Sequence, residues 1–288
     1  VLESPPAPLP DEVSVIPAAK LPVREVLARY EIVPRKRFGQ NFLHDPAVCR
    51  RIVGEAGLSP GDEVLEIGPG LGALTRPMLD GGARVTAVEV DRRIADYLTD
   101  TFGGNDAFRL HLGDVLETDL ARVAPEARRL IANLPYSITG PVLSLLIDAP
   151  DRFDRCVLMV QREVGARLTA SRGRSLGAPS VMLQLLFQVK KCFDVGKGAF
   201  LPPPDIVSTV LRLDRRPGLS LPSGLRDAVN VSYRQRRKMV RKTLAGIVAP
   251  EADLAASLVA LGLPDSARPE DLPPAAWPAF LQRARESS

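Results

Sequence analysis

The stretch Glu63-Val64-Leu65-Glu66-Ile67-Gly68-Pro69-Gly70-Leu71-Gly72 decides the fold. Its first five residues make a short apolar run of strand length. Three alternating glycines follow, and then Ala73–Leu79 carries a helical pattern. Glycines between a strand and a helix let the backbone turn sharply and let a ligand approach the helix N-terminus closely. Glu89 ends the next apolar run, 21 residues after Gly68. A carboxylate at that place accepts both hydroxyls of a ribose. Strand, glycine turn, helix and acidic strand end, in that order, predict a pocket for a nucleoside-containing cofactor. The loop alone fits two cofactor classes. A dinucleotide loop reads Gly-x-Gly-x-x-Gly, but Ala73 follows Gly72 here, and the pattern is Glu-x-Gly-x-Gly-x-Gly.

The alternation continues on both sides. A helix is predicted from Asp45 to about Gly57, with Asp45 as its cap and Pro46 at its first position. Arg84–Val90, Phe108–Leu112, Arg129–Asn133 and Cys156–Gln161 read as strands, and Arg92–Thr101 and Ile138–Ile147 as helices. Strands alternating with helices predict a parallel sheet covered on both faces. Val207–Leu213 alternates as a strand does and is expected to end the sheet. After Pro217 the pattern is helical: Leu225–Ser232, Arg234–Val248, Glu251–Leu261 and Pro273–Arg285. The expected organisation is a flexible, proline-rich arm over 1–34, a sheet domain over 35–216 and a helical domain over 217–288. Six prolines within residues 1–22 carry the first of these.

At 288 residues, with 45% hydrophobic and 25% charged side chains, the chain has globular proportions. No stretch approaches the ~20 apolar residues of a membrane helix, and no basic segment precedes an apolar core at the N-terminus. Neither membrane association nor a signal peptide is therefore expected. Cys49, Cys156 and Cys192 are odd in number and far apart, which fits a reducing cytoplasm better than a disulfide framework. His44 and His111 form no ligand cluster with them, so no metal is expected. The net charge is +4. Residues 1–200 carry 25 basic and 25 acidic side chains, and residues 201–288 carry 13 and 9. The whole excess lies in the C-terminal part, which points to an anionic partner there, nucleic acid first.

The loop pattern looks like that of S-adenosylmethionine (SAM) methyltransferases. In that family an aspartate at the end of the third strand, here Asp114 after Gly113, reaches the amino group of the cofactor's adenine. The fourth strand ends in Asn133-Leu134-Pro135-Tyr136. At the carboxyl edge of such a sheet this motif enters the ligand crevice. It resembles the Asn/Asp-Pro-Pro-Tyr motif of methyltransferases acting on exocyclic amines of nucleic-acid bases. An adenine amino nitrogen is a poor nucleophile because its lone pair is delocalised into the ring. The Asn133 side-chain oxygen and the Leu134 carbonyl each accept one amino hydrogen, and these bonds gain strength as positive charge develops on nitrogen. Pro135 stiffens the loop. The Tyr136 ring stacks on an extruded base, worth roughly 1–3 kcal/mol.

Upstream stands Lys36-Arg37-Phe38-Gly39-Gln40-Asn41-Phe42-Leu43-His44-Asp45. It closely resembles the Gly-Gln-Asn-Phe-Leu signature of the ribosomal RNA adenine dimethyltransferases, the KsgA/RsmA family and its erythromycin-resistance relatives. The resemblance covers nearly all of residues 35–285 and continues in family order through Gln161-Arg162-Glu163-Val164 and Phe200-Leu201-Pro202-Pro203-Pro204. It implies an α/β fold: a Rossmann-like SAM-dependent methyltransferase sheet with a small C-terminal α-helical domain. It implies SAM as cofactor, with Asn41 and Leu43 lining its pocket, Gly68 and Gly70 against the methionine moiety, Glu89 on the ribose and Asp114 on the adenine. Asn133 faces cofactor and target amine, and Phe200 sandwiches the target base against Tyr136.

The run Tyr233–Leu244 bears on the subfamily. Six of the nine residues from 234 to 242 are cationic: Arg234, Arg236, Arg237, Lys238, Arg241 and Lys242. They are expected on one helix, where like charges three and four apart repel unless phosphates neutralise them. Gln-Arg-Arg-Lys here, and Arg268-Pro269-Glu270-Asp271-Leu272 later, resemble the C-terminal domain of the housekeeping enzymes rather than the resistance enzymes. One departure stands out. Asp205-Ile206-Val207-Ser208 replaces the usual Lys-Val-Asp-Ser, which puts RNA contacts at 205–207 in doubt. The implied activity is dimethylation of N6 on two adjacent adenosines near the 3′ end of small-subunit (16S) rRNA, by a monomer acting on an assembling small subunit. Three rivals stay open: a large-subunit rRNA methyltransferase of the macrolide-resistance type, a nicotinamide oxidoreductase, and a largely non-catalytic assembly factor.

Overall fold

A computed structural model describes residues 22–34, 40–218 and 221–286. The deciding stretch forms β2 (Glu63–Ile67), a glycine turn and then α3 (Thr75–Asp80). β2 lies at the centre of a seven-stranded sheet. On one side it pairs in parallel with β3 (Arg84–Glu89), and beyond that lies β4 (Phe108–Leu112). On the other it pairs with β5 (Arg129–Asn133), followed by β6 (Arg155–Gln161). Successive residues of β2 serve opposite faces: Val64 joins one apolar core, Leu65 and Ile67 the other. That double burial explains why apolar Val64, Leu65 and Ile67 serve both faces instead of alternating with polar residues.

The helices end where the local chemistry predicts. α2 (Pro46–Ala56) starts at Asp45, whose side chain accepts the amides of Ala47 and Val48, and stops at Gly57 in the left-handed region. α4 (Arg92–Phe102) is capped in the same way by Asp91. α6 (Thr139–Asp148) covers the second core.

Four expectations need correction. The sheet is mixed: the strand over Val207–Leu213 is its last in chain order, as expected, but it runs antiparallel and is not an edge. β9 (Ser208–Arg215) lies antiparallel between β6 and a further strand, β7 (Phe187–Val195), which forms the edge. β7 escapes a periodicity reading because lysines 190 and 191 stand side by side next to a register shift between Lys191 and Phe193. The flexible arm does not reach residue 34. α1 (Val23–Arg29) is helical, Val26 and Ile32 are buried, and the Tyr30 hydroxyl donates to Asp100 at 2.9 Å. The arm's residues 1–21 lie outside the described residues. The helices after Pro217 build a third core around Trp277 and Phe280, but Leu176, Val181, Met182 and Leu185 belong to it too. α8 (Ala178–Leu186) thus serves the second core through Leu183 and Leu186 and the third through its other face. The core therefore crosses the expected boundary at 216/217.

The fourth correction concerns the basic run, which is not one helix. α9 (Leu225–Arg234) ends at Arg234, a turn spans 235–238, and α10 (Val240–Leu244) restarts after it.

Candidate active site

All the predicted cofactor residues converge. Asn41, Leu43, Gly68, Gly70, Glu89, Asp114 and Asn133 line one cavity at the carboxyl edge of the parallel strands, together with Leu134, Pro135, Tyr136 and Phe200. Gly39 lies outside the described residues.

The glycine turn forms the floor of the cavity. Gly68 has φ +65°, and a β-carbon there would sit 3.9 Å from the Pro135 ring and 4.0 Å from the Asn133 carbonyl. The first glycine thus brings the turn against the Asn133–Tyr136 loop. Gly72 has φ +74°, and a β-carbon would lie 2.5 Å from the Phe102 ring. The third glycine therefore seats α4 against the loop rather than touching a ligand.

Glu89 is almost wholly buried, and its Oε1 accepts the amides of Val90 and Asp91 at 2.9 Å each. Burial pushes its pKa up to about 7 against the opposing pull of these amides and that of Gly70. A buried carboxylate with one oxygen held by backbone and a cavity in front of it is a built acceptor for hydroxyl groups. Glu66 also lines the cavity, and residue-by-residue reading missed it although the motif begins there. Its carboxyl accepts the Thr75 hydroxyl at 2.6 Å, and burial raises its pKa to about 8. Asp114 Oδ1 is occupied by the Leu116 amide at 2.9 Å, which fixes the side chain at the cavity wall.

Asn133 ends β5, and the Leu134 amide donates to the Met159 carbonyl at 3.2 Å. Among the described residues, neither the Asn133 side-chain amide nor the Leu134 carbonyl has a hydrogen-bond partner. Two adjacent acceptors are thus left for a ligand, as the chemistry of an exocyclic amine requires. The Pro135 carbonyl accepts the Ile138 amide at 3.1 Å, which closes the loop into a turn. The Tyr136 hydroxyl lies 3.2 Å from Ser208 Oγ, across 72 residues of chain, so β9 holds the ring. No local signal in the sequence announces Ser208.

Phe200 is brought to the cavity by a pairing that the sequence does not announce. β1 (Phe42–Leu43) and β8 (Phe200–Leu201) form an antiparallel two-stranded ribbon, with Leu43 opposite Phe200. His44 adds an amide bond to the Ala199 carbonyl at 2.9 Å. Phe42–Leu43 and Phe200–Leu201 are therefore one structural unit. Phe200 is 4% exposed and packs in the first core with Phe42 and Leu43 while lining the cavity. In the departing segment, the Val207 carbonyl accepts the Arg162 amide at 3.0 Å, whereas Asp205 and Ile206 are exposed.

The chain matches the family described as ribosomal RNA adenine dimethylase over residues 33–276. It belongs to that family. Among curated relatives of the rRNA adenine dimethylases, ribosomal RNA small subunit methyltransferase A of Parasynechococcus marenigrum is 43% identical over 261 residues, covering 86% of each chain. The protein of that name from Deinococcus radiodurans is 42% identical over 270 residues, covering 93% of this chain and 91% of its own. Among solved structures, the 23S rRNA methyltransferase ErmE superposes with a TM-score of 0.71 at 26% identity, covering 85% of this chain and 99% of its own. A dimethyladenosine transferase from Plasmodium falciparum gives 0.73 at 22% identity, covering 85% and 98%, which shows the shared fold. Among the described residues, no helix is long and apolar enough to cross a membrane.

The predicted RNA-contacting cations do not form one set. Arg236 donates to the Glu270 carboxylate at 2.6 Å and to the Arg174 carbonyl at 2.8 Å. Arg241 pairs with Glu251 and donates to the Asp265 carbonyl at 3.0 Å. Arg234, Arg237, Lys238 and Lys242 are exposed, with no carboxylate in contact among the described residues.

Proposed function

We propose that this rRNA adenine dimethylase transfers methyl groups from SAM to N6 of two adjacent adenosines near the 3′ end of small-subunit rRNA, during assembly of the subunit in the cytoplasm. The observation that carries the chemistry is the pair of unpartnered acceptors, Asn133 side chain and Leu134 carbonyl, in the same cavity as the glycine turn and Glu89. The small-subunit target is supported by the relatives of that name at about 40% identity, against 26% for the large-subunit enzyme ErmE.

The residues present fit SAM. Glu89 offers a buried carboxylate for the ribose hydroxyls, Asp114 an acceptor for the adenine amine, and Gly68 and Gly70 two positions without a side chain where the methionine moiety can approach the backbone. Asn41 and Leu43 close the cavity from the ribbon side. When bound, SAM supplies an electrophilic methyl group on sulfur. The chain supplies the rest. In the first transfer Asn133 and Leu134 each accept a hydrogen of the target amine, and both bonds strengthen as that nitrogen becomes positive. The proton it then sheds passes to solvent, and in the second transfer the one remaining hydrogen is held by one of the two acceptors. Tyr136, held through Ser208, provides a face for the extruded base, and Phe200 provides the opposite wall. Holding the amine at the methyl group contributes up to about 7–11 kcal/mol without any basic side chain.

The deciding experiment incubates the protein with methyl-labelled SAM and purified unmethylated small and large subunits. N6,N6-dimethyladenine on small-subunit RNA is the expected product. Label confined to large-subunit RNA would move the target to the other subunit. Rescue of an assembly defect by an Asn133→Ala protein without methyl transfer would favour an assembly factor.

A further inference from the structure

The turn that breaks the basic run lies against a second basic segment 62 residues earlier in the chain. The segment 170–176 leaves α7 (Arg162–Thr169), carries Arg172 and Arg174, and buries Leu176 in the third core. Its Gly173 amide donates to the Glu270 carbonyl at 2.8 Å. The Arg236 guanidinium bridges the same two segments, from the Arg174 carbonyl at 2.8 Å to the Glu270 carboxylate at 2.6 Å. Arg172 and Arg174 flank the glycine that makes the first of these contacts, and both are exposed. Neither has a carboxylate partner among the described residues.

The electrostatics of this corner are lopsided. Seven cations (Arg172, Arg174, Arg234, Arg236, Arg237, Lys238 and Arg268) stand on the three adjoining segments with two carboxylates, Glu270 and Asp271. Glu270 is taken by Arg236, and Asp271 Oδ2 accepts the Arg268 amide at 2.8 Å. The net excess of five exceeds the +4 of the whole chain. Like charges gathered on adjoining segments raise the energy of the free protein, and a polyanion with charges along a backbone relieves it.

We propose that Arg172 and Arg174 complete an RNA phosphate-binding corner with Arg234, Arg237 and Lys238, and that Arg236 is the pin that assembles it rather than a phosphate ligand. This rests on the rRNA reading above and deepens it. A corner contributed by two separate segments engages RNA fully only when loop and C-terminal helices are docked. Its contacts are to phosphate, so they position RNA without reading its sequence.

The test measures binding of a labelled small-subunit rRNA transcript, and of an RNA hairpin of unrelated sequence, against salt. Each phosphate contact contributes about 0.7–0.9 to the slope of log affinity on log salt. The Arg172→Gln/Arg174→Gln protein is expected to lose about 1.4–1.8 from that slope on both RNAs, with SAM binding and melting temperature unchanged. The single variants should lose half as much each, and they decide the matter if the double variant does not fold. An unchanged slope, when Arg237→Gln/Lys238→Gln flattens it, would overturn the inclusion of the loop. The pin has its own readout. Glu270→Ala removes a negative charge, yet should weaken RNA binding as Arg236→Gln does, because either change breaks the Arg236–Glu270 contact that ties the loop down beyond the Gly173–Glu270 backbone bond. If Glu270→Ala tightens binding while Arg236→Gln weakens it, Arg236 is a phosphate ligand and the pin is wrong. Preference for large-subunit RNA would refute the proposed substrate while leaving the slopes to decide the corner.

Discussion

Replacing Glu89 by Gln isolates one carboxylate at the centre of the proposed cofactor site. The Gln side chain keeps an oxygen for the Val90 and Asp91 amides, so the local backbone is retained. It puts an amide nitrogen where the second carboxylate oxygen stood, and that nitrogen donates where a ribose hydroxyl needs an acceptor. A hydrogen bond to a charged group is worth about 1.5–3 kcal/mol, so SAM affinity at pH 8 should fall about 10- to 150-fold. The pH dependence is more specific. Burial raises the Glu89 pKa from 4.5 to about 7. In the free protein about one molecule in eleven is then ionised at pH 6 and about ten in eleven at pH 8. Wild-type affinity should rise about tenfold between those values and the Gln affinity should not, so the gap between the proteins should narrow about tenfold, to about 1- to 15-fold, at pH 6. Titration of SAM itself is common to both proteins and cancels. Stability moves the other way. A carboxyl whose folded pKa is raised holds its proton more tightly when folded, so wild type loses stability relative to Glu89→Gln as pH rises from about 4.5 through 7. Calorimetric titration with SAM at pH 6, 7 and 8, with melting temperatures alongside, tests both. Parallel pH profiles for the two proteins, or equal affinity at pH 8, would refute the assignment.

Asn133→Ala should lower the rate of methyl transfer by about 10²–10³ while weakening SAM binding far less, as for loss of one transition-state acceptor; single-turnover rates and calorimetry separate the two. Tyr136→Phe keeps the ring and loses only the 3.2 Å contact to Ser208, so it should cost about 2- to 10-fold in kcat/KM. Tyr136→Ala loses the stacking face and should cost about 5- to 150-fold. Gly72→Ala places a methyl group 2.5 Å from the Phe102 ring at φ +74°, and should destabilise the fold by about 1–3 kcal/mol by denaturant titration. Phe102→Leu in the same chain should recover part of that loss, since it removes the clash and leaves the backbone strain.

Much of this molecule is written locally. The glycine turn, the acidic end of the second parallel strand, the Asp45 cap and the Asn133–Tyr136 loop each depend on residues close in sequence, where backbone freedom and hydrogen-bonding capacity are set by residue type. A short, mostly apolar run such as Val64–Ile67, ended by glycines, needs no partner to be read as a strand. That is why the parallel half of the sheet and the cavity at its edge follow from the sequence itself.

Other features depend on contacts between distant segments, and their residue types are neutral about the outcome. Nothing in Phe42–Leu43 says that it pairs with Phe200–Leu201, because a two-residue strand acquires its meaning from its partner. Ser208 looks like any strand serine until Tyr136 is placed beside it. The insertion of β9 between β6 and β7 is a matter of sheet order, which alternation along one strand does not encode. Charge shows the same division most plainly. The density of cations from 234 to 242 is visible in the sequence, but a charge's use depends on what faces it. Only the tertiary structure gives Arg236 to Glu270, gives Arg241 to Glu251, and sets Arg172 and Arg174 beside the cations that remain.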